Sequence, residues 1–319
     1  ASKRGVALGL RAMKLPMTLP MPAFVPDGPP VFRFAPSPNG PLHRGHALSA
    51  LLNAELAARH EGRFLLRIED IDAERSRPEH IAAIDEALGW LGLAWEKPVR
   101  RQSQHFDDYA RALETLKARG VLYPCFCTRG MIAADCADAE ARGEIVGRDP
   151  DGAPLYAGRC RGLSSDAIAT FLAQGETPQW RLDTARALAI TGPLRWYSFD
   201  PVTGAMFVHV ADPLRWGDPV IARKGLPTSY HLSVVVDDAL QGITHVVRGT
   251  DLEASTDIHV LLQALLGLPQ SLYWHHPLIL DDDGKKLAKS KGSASLLSER
   301  DAGLDAQTLR EAALLCLAQ

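Results

Sequence analysis

The sequence predicts an α/β protein: a parallel sheet with helices on its faces. Three observations carry that prediction. Short apolar runs alternate with helical patterns through the first part of the chain, turns rich in Pro and Gly separate them, and 319 residues can bury a sizeable core and form two domains.

The run "VFRFAPS" reads as a short buried strand. Residues 47–60 then read as a helix, with Leu48, Leu51, Leu52 and Leu56 at helical spacing. "GRFLLRIED" is a second strand, apolar in its middle and acidic at its end. "RPEHIAAIDEALGWLGL" is a helix with Pro78 near its start and Gly92 near its end. Residues 109–119 form another helix and "GVLYPCFC" another strand, so the alternation extends into a Rossmann-like domain. The pattern breaks from about 128 to 191, where Gly, Asp and Ala are frequent and periodicity is weak. An insertion is therefore expected over 123–210, between two halves of the strand–helix domain at 31–122 and 211–275. Strand character resumes at "DPVIARKG" and "YHLSVVVDDALQGITHVVRG". A helix over 254–266, "LYWHHPLIL", a basic loop and a terminal helix complete the chain, with 276–319 as the last segment. Residues 1–30 lack a sustained apolar segment followed by a small-residue cleavage site, so they do not read as a secretory signal; they read as a disordered leader or an over-long start.

Hydrophobic residues make up 46% and charged residues 23%, and the net charge is −3. That balance excludes a protein that is basic throughout, so any RNA-binding surface must be a local basic patch. No apolar run reaches about 18 residues, so no membrane-spanning helix is expected. Five cysteines in a chain of this size do not make a disulfide framework. Cys125, Cys127, Cys136 and Cys160 cluster, which points to a metal in a reducing cytoplasm. Cys316, in "EAALLCLAQ", reads as a buried helix thiol.

The turn between the first strand and the first helix holds His43, Gly45 and His46. A helix N-terminus carries partial positive charge and unpaired N–H groups, so anions settle there. Two imidazoles at that point can lean on one triphosphate and stabilise charge developing on the α-phosphate, while Gly45 lets the backbone approach closely. Alone, the pattern H-x-G-H also fits ordinary turn histidines; the strand, the Pro-rich turn and the helix around it favour nucleotide binding. Arg33 in a buried-looking strand and Arg248 after the apolar "ITHVV" are both unexpected unless paired. Guanidinium groups suit a carboxylate substrate. Glu69, at the end of "FLLRIE", could receive an α-ammonium. The bland alternative is that all three are structural ions. Lys286, Lys289 and Lys291 crowd a loop between Gly284 and Gly292. That loop is either a solvated basic turn or a hinged clamp that neutralises departing pyrophosphate. Cys125, Cys127 and Cys160 offer soft ligands at the close spacing that tetrahedral zinc prefers, and on ligand chemistry Cys136 would be the fourth. Asp70, Asp72 and Glu74 read as a solvated or ion-paired turn.

At these residues the sequence resembles a known family. "RFAPSPNGPLHRGH" looks like the HIGH signature of class I aminoacyl-tRNA synthetases in its glutamyl form, and "RIEDIDAERS" resembles the segment that follows it. "YHLSVVVDDALQGITHVVRGTDL" resembles their second conserved block and "KKLAKSKG" their KMSKS loop, with Leu287 and Ala288 where the pattern has Met and Ser. The four blocks in this order span most of 31–292. The resemblance implies a class I catalytic domain that binds ATP through His43, Gly45, His46, Lys286 and Lys289, with His43, His46 and Lys289 catalytic. It assigns Arg33, Phe34, Ala35, Pro36, Ser37, Glu69, Tyr230 and Arg248 to glutamate. It also implies one structural Zn²⁺ on Cys125, Cys127, Tyr156 and Cys160, so it differs from ligand chemistry over the fourth donor.

Little chain follows Ser290, and the family's anticodon-reading domain would have to lie there. The closest resemblance is therefore to the short paralogues that glutamylate queuosine at the wobble position of tRNA(Asp). The implied substrates are glutamate, ATP with Mg²⁺ and that tRNA, with no membrane and no obligate protein partner. The alternatives are a truncated or partner-dependent glutamyl-tRNA synthetase, a small-molecule nucleotidyltransferase, and a non-catalytic glutamate- or RNA-binding paralogue.

Overall fold

β1 (Val31–Phe34) and β2 (Arg63–Ile68) are buried along almost their whole length, and they pair in parallel from Val31 opposite Arg63 to Phe34 opposite Leu66. In the computed structural model, which describes residues 28–279 and 294–318, they lie inside a large sheet. Their near-continuous apolar sequence reflects burial on both faces. Phe32 and Phe34 join one side-chain cluster, and Val31 and Leu65 join another.

Between these strands runs α1 (Arg44–Arg59), which buries Leu48, Leu51, Leu52 and Leu56 against Phe32, Phe34, Leu66 and Ile68. α2 (Pro78–Trp90) adds Ile84, Ala87 and Leu88 to the same cluster. β3 (Glu96–Arg101) pairs in parallel with β2. It has no apolar pattern, so the sequence reading passed over it; it is an edge strand, where polar side chains and Pro98 are tolerated.

α3 (Phe106–Ala118) leads to β4 (Leu122–Cys125). Here the structure corrects the sequence reading. β4 is not in the parallel sheet. With β5 (Gln179–Leu182) and β8 (Val220–Ala222) it makes a separate antiparallel sheet, in the order β4-β5-β8. α4 (Arg129–Ala141), α5 (Ser165–Ala173) and α6 (Thr184–Thr191) fill the surrounding segment, and α4 and α5 bury no residue fully. β6 (Arg195–Phe199) and β7 (Met206–Val210) fall within the span expected for the insertion, yet both belong to the large sheet.

A second correction concerns "YHLSVVVDDAL". Its Val run suggests a strand, but residues Tyr230–Leu240 form a helix, α7. Leu232 through Asp238 are all buried, so the helix shows no polar face that periodicity could detect. The adjacent carboxylates of Asp237 and Asp238 share Arg67, at 3.8 and 2.7 Å, and otherwise take different partners; tertiary context overrides the β preference of valine. β9 (His245–Gly249), α8 (Ser255–Leu266) and β10 (Leu272–His276) follow.

The large sheet runs β3-β2-β1-β9-β10-β6-β7, parallel throughout except for β7. α3, α7 and α8 pack together through Tyr109, Leu116, Leu232, Val235, Ile258 and Leu261. α9 (Leu296–Asp301) and α10 (Ala306–Leu317) close the described chain, and Leu309, Ala313 and Leu317 of α10 join the cluster beneath α1. Cys316 is half-buried rather than buried. The leader expected over 1–30 lies almost wholly outside the described residues. No helix among them is long and apolar enough to cross a membrane.

Candidate functional site

β2 and β9 flank β1; from its carboxyl end β1 connects to β2 on one side, while β9 connects to β10 on the other. Ligands of open α/β sheets bind at such a switch point. A cavity of about 500 Å³ opens there, and Arg33, Phe34, Ala35, Pro36, Ser37, His43, Gly45, His46, Glu69, Tyr230 and Arg248 all line it. Lys286 and Lys289 lie outside the described residues.

His43 is the N-cap of α1. Its Nδ1 accepts from the Gly45 N–H at 3.1 Å, and the His46 Nδ1 accepts from the His43 N–H at 3.1 Å. An imidazole nitrogen that accepts carries no proton, so each neutral ring holds its proton on Nε2. Gly45 permits this geometry: a Cβ there would meet the His43 Cε1 at 3.0 Å. No acidic residue of α1 occupies its own first turn; Glu299 of α9 reaches this end and pairs with Arg44 at 2.8 Å.

The buried guanidinium groups have different partners. Arg33 donates to Asp238 at 3.1 and 3.4 Å. Arg67 donates to Asp238 at 2.7 Å and to Glu69 at 3.1 Å. Burial pushes the Glu69 carboxyl above its ordinary range, and the charges of Arg67 and Arg33 only partly offset this. For Asp238 burial acts in the same direction, but Arg33 and Arg67 outweigh it and hold the carboxyl low. Arg248 donates to His275 Nε2 at 3.3 Å, His259 Nδ1 at 3.2 Å and Thr256 Oγ1 at 2.8 Å. Asp237 accepts from Arg100, Gln102 and Tyr109, which anchors α7 beneath the site. At the far end, Gly249 leaves room that a Cβ would take from Asp251 and Leu278.

Sequence reasoning missed Arg67, Asp238, His259 and His275. Arg67 interrupts "FLLRIE" just as Arg33 interrupts its strand, and paired aspartates end an apolar run in "SVVVDD"; both were available signals. The Asp70 and Asp72 carboxylates are ion-paired, with Arg101 and with Arg75 and Arg223 respectively.

The sulfurs of Cys125, Cys127 and Cys160 lie within 4.8 Å of one another, all buried. The Tyr156 hydroxyl sits 3.5 Å from the sulfurs of both Cys125 and Cys127. Cys136 is elsewhere, on α4, where its thiol faces Glu140 one turn on; the ligand-chemistry argument for it fails because the helix carries it away. Three soft donors and a phenol around one point fit a tetrahedral ion. Arg181 adds positive charge, donating to the Cys125 sulfur at 3.4 Å with its guanidinium 4.1 Å above the Tyr156 ring. Burial pushes the Cys125 thiol up, but its hydrogen bonds with Tyr156, Gln179 and Arg181 bring it down to about 7. A second cavity, about 590 Å³, borders this cluster at Tyr156 and Arg181; Arg129, Asp151, Arg223 and His231 also line it, and Tyr230 borders both cavities.

Residues 31–317 match the family model described as tRNA synthetases class I (E and Q), catalytic domain. The chain is 44% identical over 285 residues to a glutamyl-Q tRNA(Asp) synthetase of Rhodobacter capsulatus, covering 88% of this chain and 98% of that protein. It is 39% identical over 290 residues to one of Symbiobacterium thermophilum, covering 87% and 83%. Among solved structures it is similar to a glutamate-tRNA synthetase from Elizabethkingia anophelis, with TM-score 0.67 and 28% identity over 83% of this chain. It spans 53% of that synthetase, about half its length.

Proposed function

We propose that this chain, which belongs to the class I tRNA synthetases for glutamate and glutamine, activates glutamate with ATP and transfers the glutamyl group to queuosine in tRNA(Asp). One observation carries the chemistry: a single cavity joins the paired histidines of a helix N-terminus to Glu69 and to Arg248. The relatives named glutamyl-Q tRNA(Asp) synthetase support the acceptor.

In the first step an oxygen of the glutamate α-carboxylate attacks the α-phosphorus of ATP. The bond to the bridging oxygen breaks and pyrophosphate leaves. The Nε2–H groups of His43 and His46, with the α1 N-terminus, stabilise the negative charge on the transferring phosphoryl oxygens. Lys286 and Lys289 are assigned to the pyrophosphate, with Mg²⁺ as its counter-ion. Glu69 receives the α-ammonium, and Arg33, Tyr230 and Arg248 surround the side-chain carboxylate, with residues 34–37 forming the pocket wall. In the second step a hydroxyl of the cyclopentenediol attacks the adenylate carbonyl. AMP leaves, and the hydroxyl proton passes to solvent or to the departing phosphate. The cavity beyond Tyr230 offers the acceptor nucleoside an approach. Cys125, Cys127, Cys160 and Tyr156 would hold a structural zinc ion that braces a segment with little core of its own.

The test offers the protein labelled glutamate, ATP and bulk cytoplasmic tRNA with or without queuosine. Label in the queuosine-containing pool alone is expected. Equal labelling of both pools, or labelling of unmodified tRNA(Glu), overturns the acceptor assignment.

A further inference from the structure

The cations around the cavity are not equivalent. Arg33 and Arg67 share Asp238, and Arg67 also reaches Glu69. Their charge is matched within the protein. Arg248 is just as buried, yet among the described residues its hydrogen-bond partners are two imidazoles and a hydroxyl, and no carboxylate forms an ion pair with it.

A guanidinium can only donate. The His259 Nδ1 and the His275 Nε2 that face it are therefore acceptors without protons. His259 then carries its proton on Nε2, 3.3 Å from the Nδ1 of His231, which accepts it. The arginine thus orders a chain of neutral rings. Burial and the charge of Arg248 hold His231 near 4, His275 near 2 and His259 well below its ordinary value. The guanidinium is fixed in place by dipoles, while its full charge stays unmatched in a buried setting.

We infer that this neutral cage makes the pocket select a carboxylate side chain over its amide, with His259 and His275 as the positioning residues that hold Arg248 oriented and uncompensated. A carboxylate entering the cavity relieves an unmatched buried charge; an amide of the same shape does not. A protein carboxylate in place of either imidazole would supply that relief permanently and remove the distinction. Thr256 completes the cage, and its hydroxyl also lies 3.3 Å from the His275 Nε2.

The inference rests on reading the cavity as the glutamate site, and the experiment separates the two. ATP–pyrophosphate exchange is measured with glutamate and with glutamine for the wild type, His259→Glu and His259→Gln, with thermal unfolding of each. Wild-type exchange driven by glutamate supports the site reading; its absence sinks both. Given that exchange, His259→Glu is expected to raise KM for glutamate by roughly 30-fold or more, with a smaller change in kcat and a matching fall in glutamate-over-glutamine preference. His259→Gln, a neutral acceptor, is expected to recover most of the affinity. An unchanged preference in His259→Glu, or an equal loss of kcat in both variants with no change in preference, overturns the inference. If His259→Glu does not fold, calorimetric titration of the wild type decides: glutamine binding as tightly as glutamate overturns it, and binding at least tenfold weaker supports it.

Discussion

His43 and His46 cap one helix end reciprocally. Each Nδ1 accepts a backbone N–H of the same turn, and the rings stand 3.8 Å apart between centroids. The cap is a structural feature and a chemical one, because it also fixes the protons on Nε2. The two roles separate by mutation. His43→Asn keeps an N-cap acceptor and removes the imidazole donor; His43→Ala removes both. Loss of a cap costs about 1 kcal/mol, and loss of a charge-stabilising donor costs roughly 10²–10³-fold in rate. Thermal unfolding should distinguish the two variants, while glutamate-dependent pyrophosphate exchange should be low in both. Equal unfolding temperatures would show that the cap contributes nothing.

Asp238 joins three elements by accepting from Arg33 on β1 and Arg67 on β2 while sitting on α7. Asp238→Asn leaves two buried cations short of a carboxylate and should destabilise the protein by about 3–5 kcal/mol. The pH dependence has a definite sign. The folded carboxyl lies below the ordinary 3.8, so its contribution is fully present above that value and is lost as pH falls through the folded pKa. Urea unfolding at stepped acid pH should show the wild type losing stability in that window and Asp238→Asn varying less.

Glu69 behaves in the opposite way. Its carboxyl is raised above 4.5, chiefly by burial, so it takes up a proton at a higher pH than an exposed glutamate would. An α-ammonium is held by the charged form only. KM for glutamate should therefore rise as pH falls through that raised pKa, with kcat nearly constant. Glu69→Gln should show a high KM at every pH and no such inflection; the substrate's own side chain titrates identically in both proteins, which makes the comparison clean. An identical inflection in the variant would remove Glu69 from the site.

The cysteine cluster gives a prediction independent of catalysis. Cys127→Ser should lose bound zinc and Cys136→Ser should retain it, measured by metal content after dialysis. Arg181→Gln removes a donor to the Cys125 sulfur, and chelator competition should show zinc held on the order of 10–100-fold more weakly. Equal metal content in the two cysteine variants would refute the assignment.

Some elements were readable in the sequence because their signal is local. α1 shows its leucines, Leu48, Leu51, Leu52 and Leu56, at helical spacing along one run of chain. The His43–His46 turn follows a strand and opens a helix, and chain order alone conveys that. Cys125 and Cys127 are two residues apart, so their proximity is guaranteed. α7 was misread because it is buried all round, which erases periodicity, and because valine favours strands in isolation. β4 was assigned to the wrong sheet because hydrogen-bond partners are chosen across more than fifty residues, and no run of apolar residues specifies them.

By itself the sequence determined the α/β class, the His43–His46 turn at a helix mouth and residue types suited to a carboxylate, since each depends on neighbours within a turn or two. Tertiary structure decided which of the buried arginines is matched by charge and which is surrounded by neutral rings. Asp238 is distant from Arg33 in the chain, as His275 is from Arg248. Electrostatic pairing depends on distance in space, and only the folded sheet brings those groups within reach.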